Sequence, residues 1–269
     1  MIDVIKQQFA EAMPRHVRLN KTREFMQALC LKLMSEKGLF DRMAFLGGTA
    51  LRMIFQLRRF SEDLDFSLLK AGDIEVADLS ESLAKGLRLY GFQVETKAKA
   101  VGAVRSILFR FPGLLKELGL SALKDEKLAI KWDVDTNPPQ GGIAVSGMMQ
   151  NYFTFRIVHY DLSSLFAGKM HACFFRKYTK GRDWYDFIWY ISKKVRPNLA
   201  LFRNAVLQTE KEESAINDAN LADFLIQGVE RVDFKAVSKD VERFLEDPEE
   251  LSIFDPGAII QTIRNNYTS

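Results

Sequence analysis

The sequence predicts an α+β fold in which a mixed sheet is flanked by helices and followed by a helical C-terminal lobe, and three observations predict it. Apolar runs of strand type recur before residue 160, at 44–46, 104–111 and 128–135, each bounded by glycine, proline or asparagine. Helix-period segments lie between them, such as Val76, Leu79, Leu83 and Leu87, closed by Gly91. After Val195 strand patterns cease, and Leu201, Val206, Leu221, Phe224, Val229, Val237, Val241 and Phe244 keep helical spacing alone. The expected organisation is a sheet-bearing core with N-terminal helices over 1–160 and a helical lobe over 161–269.

Composition narrows the class. At 269 residues, with 47% hydrophobic and 27% charged positions, the chain supplies the core of an ordinary soluble globule. Cys30 and Cys173 lie in apolar, helix-like surroundings and read as reduced core thiols. His16, His159 and His171 are too scattered for a zinc site. Lys6, Glu11 and Arg15 interrupt any signal-like run, and no uncharged span reaches the ~20 residues of a membrane helix. A cytoplasmic protein with no membrane partner is expected. The net charge of +3 conceals an asymmetry: residues 206–269 carry 6 Lys+Arg against 14 Asp+Glu, which leaves the first 205 residues at +11. A basic body suits a polyanion such as a nucleoside triphosphate or RNA. The acidic tail reads as a solvated helical face.

Residues 1–38 read as helices interrupted at Pro14 and stopped by Gly38. The strand Ala44-Phe45-Leu46 then meets Gly47-Gly48, where the chain turns sharply with its backbone N–H groups uncovered. Thr49 stands at the expected N-cap of a short helix over 50–57. Strand, glycine turn and helix start together make an anion seat, in which the first-turn N–H groups, Gly48 and the Thr49 hydroxyl face a phosphate. In residues 61–66 the alternation puts Ser61, Asp63 and Asp65 on one strand face and Leu64 and Phe66 on the other. Two carboxylates ~6.5–7 Å apart on one face repel unless a cation lies between them. Mg²⁺, or Mn²⁺ in its place, is that cation, binding one or two carboxylates together with phosphate oxygens. A solvated strand end paired with Arg58 or Arg59 would produce the same Asp-x-Asp.

Residues 92–99 and 104–111 read as a hairpin about Gly102, with Arg105 and Arg110 as sheet-surface charges or a nucleic-acid face. Residues 128–135 alternate with Lys131, Asp133 and Asp135 on one face, and Pro138-Pro139 follows. A third carboxylate from a neighbouring strand would ligate metal and help deprotonate an attacking hydroxyl. Asp133 and Asp135 are the carboxylates placed for it, Asp133 preferred; an acidic solvent face on an edge strand gives the same pattern. One more strand is expected over 153–158. Asp161 caps a helix carrying Lys169, and the basic loop 177–182 leads into Asp183 and Asp186 on one helical face, where first-turn acids also serve plain dipole capping.

Four separated motifs in order carry a resemblance. Gly-Gly-Thr-Ala-Leu at 47–51, Arg-x-Ser-x-Asp-Leu-Asp-Phe at 59–66, Lys169 in its helix and Arg-Asp-x-x-Asp at 182–186 are similar to the AbiEii / MenT branch of nucleotidyltransferase-like toxins, related to DNA polymerase beta. The resemblance implies a polymerase-beta-type nucleotidyltransferase core and an NTP-dependent, Mg²⁺- or Mn²⁺-dependent toxin acting on RNA, in some members the tRNA acceptor end, with a cognate antitoxin. It assigns Gly47, Gly48, Thr49 and Lys169 to the nucleotide, with Arg59 and Ser61 beside them, and Asp63 and Asp65 to metal; the third metal carboxylate is Asp133 or Asp135, Asp133 preferred. Asp183 or Asp186 would orient Lys169 or the base. A phosphoryl group on Ser61 would place negative charge on the metal-binding face and switch the site off. Two other classes use the same residues: a non-catalytic NTP-binding module, and a metal-dependent nuclease, which has no need of the Gly-Gly-Thr seat.

Overall fold

The computed structural model describes residues 1–123 and 125–268. They divide into two compact units: the first is drawn from 1–56, 60–138 and 144–159, and the second from 57–59, 139–143 and 160–268. The change near residue 160 coincides with the end of the last strand. The two short segments that depart from a single cut, Leu57–Arg59 and Pro139–Ile143, carry no compositional mark.

The first unit begins with helices α1 (Ile2–Lys6) and α2 (Arg15–Glu36), separated where Pro14 is expected to interrupt them. Strand β1 (Met43–Leu46) runs directly into α3 (Gly47–Phe55), and β2 (Leu64–Leu68) follows. Then come α4 (Val76–Leu89), β3 (Glu95–Lys99), β4 (Val104–Phe111), the single turn α5 (Leu114–Glu117) and β5 (Leu128–Asp135). Strands β6 (Ala144–Gln150) and β7 (Thr154–Tyr160) complete a seven-stranded sheet of order β3-β4-β5-β2-β1-β7-β6. Pairing is mixed: β1 is antiparallel to β2 and parallel to β7, β2 is parallel to β5, and β4 is antiparallel to β3 and β5. One face is packed. Phe45, Phe66 and Trp132, from β1, β2 and β5, lie side by side across it, with successive ring centroids 5.3 Å apart.

Two expectations are corrected here, and one strand is new. The strand expected over 92–99 is shorter, because Phe92 and Val94 are buried ahead of it rather than laddered. The strand expected over 61–66 begins only at Leu64. Strand β6 had no signal, since Ala-Val-Ser-Gly-Met-Met-Gln lacks alternation and carries a glycine.

The second unit is helical: α6 (Leu162–Phe175), α7 (Gly181–Ser192), α8 (Leu199–Glu210), α9 (Leu221–Glu230), α10 (Phe234–Val241) and α11 (Pro256–Tyr267). Asp161 caps α6 as its sequence requires, accepting from the Ser164 N–H at 2.8 Å. Phe174 packs edge-on against Trp184, Phe187 and Phe224, which binds α6 to α7 and α9. Among the described residues no helix is long and apolar enough to cross a membrane.

Candidate active site

The phosphate seat is built where β1 becomes α3. Gly47 has φ +80°, and a Cβ there would collide with the Asp65 side chain, whose Cγ would lie 3.0 Å away. Both facts demand glycine, and the second puts the glycine turn directly against a carboxylate of the Asp-x-Asp row. Thr49 corrects the expected cap. Helix α3 has Leu46 at its N-cap and no side-chain cap. The Thr49 hydroxyl, fully buried, instead donates to the backbone carbonyl of Asp63. The first-turn N–H groups are thereby left to solvent or ligand, and the threonine ties helix to carboxylate row. A second tie holds α3 from behind: Arg52 Nε donates to Glu24 Oε1 on α2 at 2.6 Å, and Tyr152 donates to the other Glu24 oxygen at 3.2 Å.

The carboxylates assemble through sheet register. Asp65 is opposite Leu46 on β1 and opposite Asp133 on β5. In-register neighbours share a face, so Asp65 and Asp133 stand side by side, with Asp63 two residues before Asp65. Asp135 is paired with Ser67 instead, two residues further along, and its Oδ1 accepts from the Asn137 N–H at 2.9 Å to close the turn after β5. Burial raises the Asp135 carboxyl against that hydrogen bond. Register therefore selects Asp133 as the neighbour of Asp65. Its Oδ2 accepts from Lys131, while its Oδ1 is buried without a hydrogen-bond partner. Lys131 is the residue that sequence reasoning passed over. Its ammonium is held above the ordinary lysine range by the Asp133 bond, against partial burial, and then by the charges of Asp133, Asp63 and Asp65. The lysine senses all three carboxylates, and its place two residues before Asp133 on the same face was the available signal.

These residues fit a hard divalent cation. Two neighbouring carboxylates and a buried, unsatisfied carboxylate oxygen are what such an ion needs from protein when phosphate and water complete its shell. Among the described residues no group of three or more His, Cys, Asp or Glu side chains is placed to hold a metal ion by itself.

The second unit holds a different charge cluster. Arg59, 2% exposed, grips the fully buried Asp186 with Nε to Oδ1 and Nη2 to Oδ2, both at 2.6 Å. Lys169 donates to Asp183 Oδ1 at 2.7 Å and stands 2.8 Å from Asp186 Oδ2. Arg176 closes on the other Asp183 oxygen. Burial works against the Lys169 ammonium, but Asp183 and Asp186 outweigh it and hold its proton well above the lysine range. Burial likewise opposes the Asp183 charge, and Lys169 and Arg176 reverse that, so its carboxyl lies below the ordinary range. Arg59, expected at the nucleotide, has its guanidinium buried against Asp186. Ser61 is half-buried, and its carbonyl accepts from Gln27 at 3.2 Å. Arg105 and Arg110 do not share a face. Arg110 pairs with Ala129, on the Lys131 side, whereas Arg105 donates to Asp73.

The family model described as nucleotidyl transferase AbiEii toxin, of type IV toxin–antitoxin systems, matches residues 29–256. No curated protein matches the chain. Among solved structures, JHP933 from Helicobacter pylori aligns with a TM-score of 0.53 at 19% identity, covering 91% of this chain and 92% of its own. A second H. pylori protein, a candidate nucleotidyltransferase, aligns with a TM-score of 0.52 at 19% identity over 96% of each chain. At that identity the two structures speak for the fold alone.

Proposed function

The chain belongs to the AbiEii nucleotidyl transferase toxin family and is a nucleotidyltransferase; from that premise we propose that it carries a nucleotidyl group from a nucleoside triphosphate to an RNA acceptor, with tRNA 3′ ends as the acceptor class. A cognate antitoxin would restrain it. One juxtaposition carries the reading: Asp65 lies against Gly47 on one side and in register with Asp133 on the other. Triphosphate and acceptor hydroxyl then meet at one row of carboxylates.

Gly47 and Gly48 present backbone N–H groups to the β- and γ-phosphates, and Thr49 keeps that turn aligned with Asp63. Asp63, Asp65 and Asp133 would hold Mg²⁺ or Mn²⁺ together with phosphate oxygens and water. When bound, the cation stabilises negative charge on the attacking and leaving oxygens. Asp133 Oδ1 accepts the proton of the attacking hydroxyl. Lys169, held charged by Asp183 and Asp186, is assigned to the triphosphate on the family resemblance alone.

Labelled NTPs incubated with total tRNA test the proposal. Label should appear on tRNA with the wild type and fall about a thousandfold with Asp63→Ala, the scale of losing several kcal/mol of transition-state stabilisation. Equal transfer by both proteins rejects it, and shortened RNA points to nuclease chemistry.

A further inference from the structure

The first unit contains a cleft of about 330 Å³ beside Asp63. Leu19 of α2, Leu108 of β4 and Leu115 of α5 give it an apolar wall, and Arg23, Lys127 and Lys131 line it together with Asp63. The cations are matched by acids: Arg23 stands 3.7 Å from Glu62, and Lys127 is 2.8 Å from Glu95. Such a lining draws no bare polyanion. It offers leucine surface to a planar ring and mixed donors and acceptors to hydroxyls and base edges, and its volume is at the small end of ligand sites, room for one nucleoside.

Strand order decides which nucleoside. Across the sheet, Gly47 lies at the β1 end of the carboxylate row, Asp63 and Asp65 in the middle, and the cleft over β4 and β5 on the far side. In an in-line displacement the attacking oxygen enters opposite the leaving pyrophosphate. If the pyrophosphate leaves over Gly47 and Gly48, the acceptor enters from the β5 side.

We propose that this cleft seats the 3′-terminal nucleoside of the RNA acceptor; the assignment rests on the transferase reading given above. The terminal base lies on Leu19, Leu108 and Leu115, and its ribose hydroxyl is delivered past Asp63. The hydroxyl oxygen bonds to the α-phosphorus, the bond from that phosphorus to the pyrophosphate oxygen breaks, pyrophosphate leaves with the electron pair, and the hydroxyl proton passes to Asp133 Oδ1.

Two measurements test it. Leu108, half-buried on the cleft wall, is replaced by tryptophan, Leu108→Trp, which fills the space without adding charge. KM for acceptor RNA should rise about tenfold or more, the scale of lost pocket contacts, while KM for the NTP is unchanged; equal changes in both, or none, overturn the proposal. An RNA oligonucleotide with a photoreactive 3′-terminal nucleoside is also crosslinked to the wild-type protein. Attachment within residues 19–23, 62–63, 108–115 or 126–131 supports the cleft, and attachment elsewhere, or none, overturns it. Crosslinking in the cleft by a protein that transfers no label would retain the acceptor seat and reject the transferase reading instead.

Discussion

Two groups of aspartates built from the same chemistry behave differently. Asp183 and Asp186 are buried among Arg59, Lys169 and Arg176, with hydrogen bonds of 2.6–2.7 Å to Arg59 and Lys169. Asp63, Asp65 and Asp133 are half-buried, share the influence of Lys131, and leave Asp133 Oδ1 buried with no hydrogen bond. The first group is saturated by protein, and disturbing it exposes the cost of an uncompensated buried charge. The second has an oxygen still to be satisfied, and disturbing it removes what a ligand would use. A carboxylate whose bonds are made within the protein fixes its neighbours, and one with an unsatisfied oxygen can still accept a ligand.

The sharpest way to break this contrast is to delete one acid from each group. Asp65→Ala should lower nucleotidyl transfer about a thousandfold and leave the urea midpoint unchanged, whereas Asp186→Ala should cost about 3–5 kcal/mol of stability, read in the same urea titration. Equal destabilisation by both would dissolve the distinction. Gly47→Ala comes next. The added methyl strains φ and displaces the Asp65 carboxylate, and a shift of ~1 Å in a catalytic group costs about a hundredfold in rate, measured as kcat with near-native circular dichroism.

The pH dependence of stability separates the groups further. The Asp183 carboxyl is lowered in the folded protein, so its contribution is present above the ordinary carboxylate value of about 3.9 and is lost as pH falls through the lower folded value. Acid unfolding should therefore steepen below that ordinary value, and Asp183→Asn should give a shallower acid limb in thermal melts. The smallest expected effect belongs to Lys131. Replacing it by methionine removes a cation from the carboxylate row, so Mn²⁺ should bind about two- to fivefold more tightly by calorimetry, matching an exposed pair of up to about 1 kcal/mol. Weaker binding would show that the lysine supports the ion rather than competing with it.

Much of this was legible because the informative signals are local. The Gly47-Gly48 turn, the alternation over Leu128–Asp135 and the Asp161 cap each follow from a few neighbouring residues, and the structure carries all three. Strand β6 escaped because it has neither alternation nor β-branched richness beyond Val145. Thr49 was misread as a cap because the nearest orphan N–H groups are close in sequence, whereas the carbonyl it bonds is 14 residues away. The Arg59 pairing is hidden from local sequence for a similar reason. Its motif neighbours are Ser61 and Asp63, but its partner is 127 residues downstream.

By itself the sequence determined the secondary-structure alternation, the family motifs and the residue types that a triphosphate and a divalent ion require, since each depends on spacing along one strand or one helical turn. Only the tertiary structure decided that Asp133 rather than Asp135 neighbours Asp65, that Arg59 is a buried clamp, and that a nucleoside-sized cleft opens beside Asp63. Those outcomes depend on strand register and on burial, which bring together groups far apart in the chain.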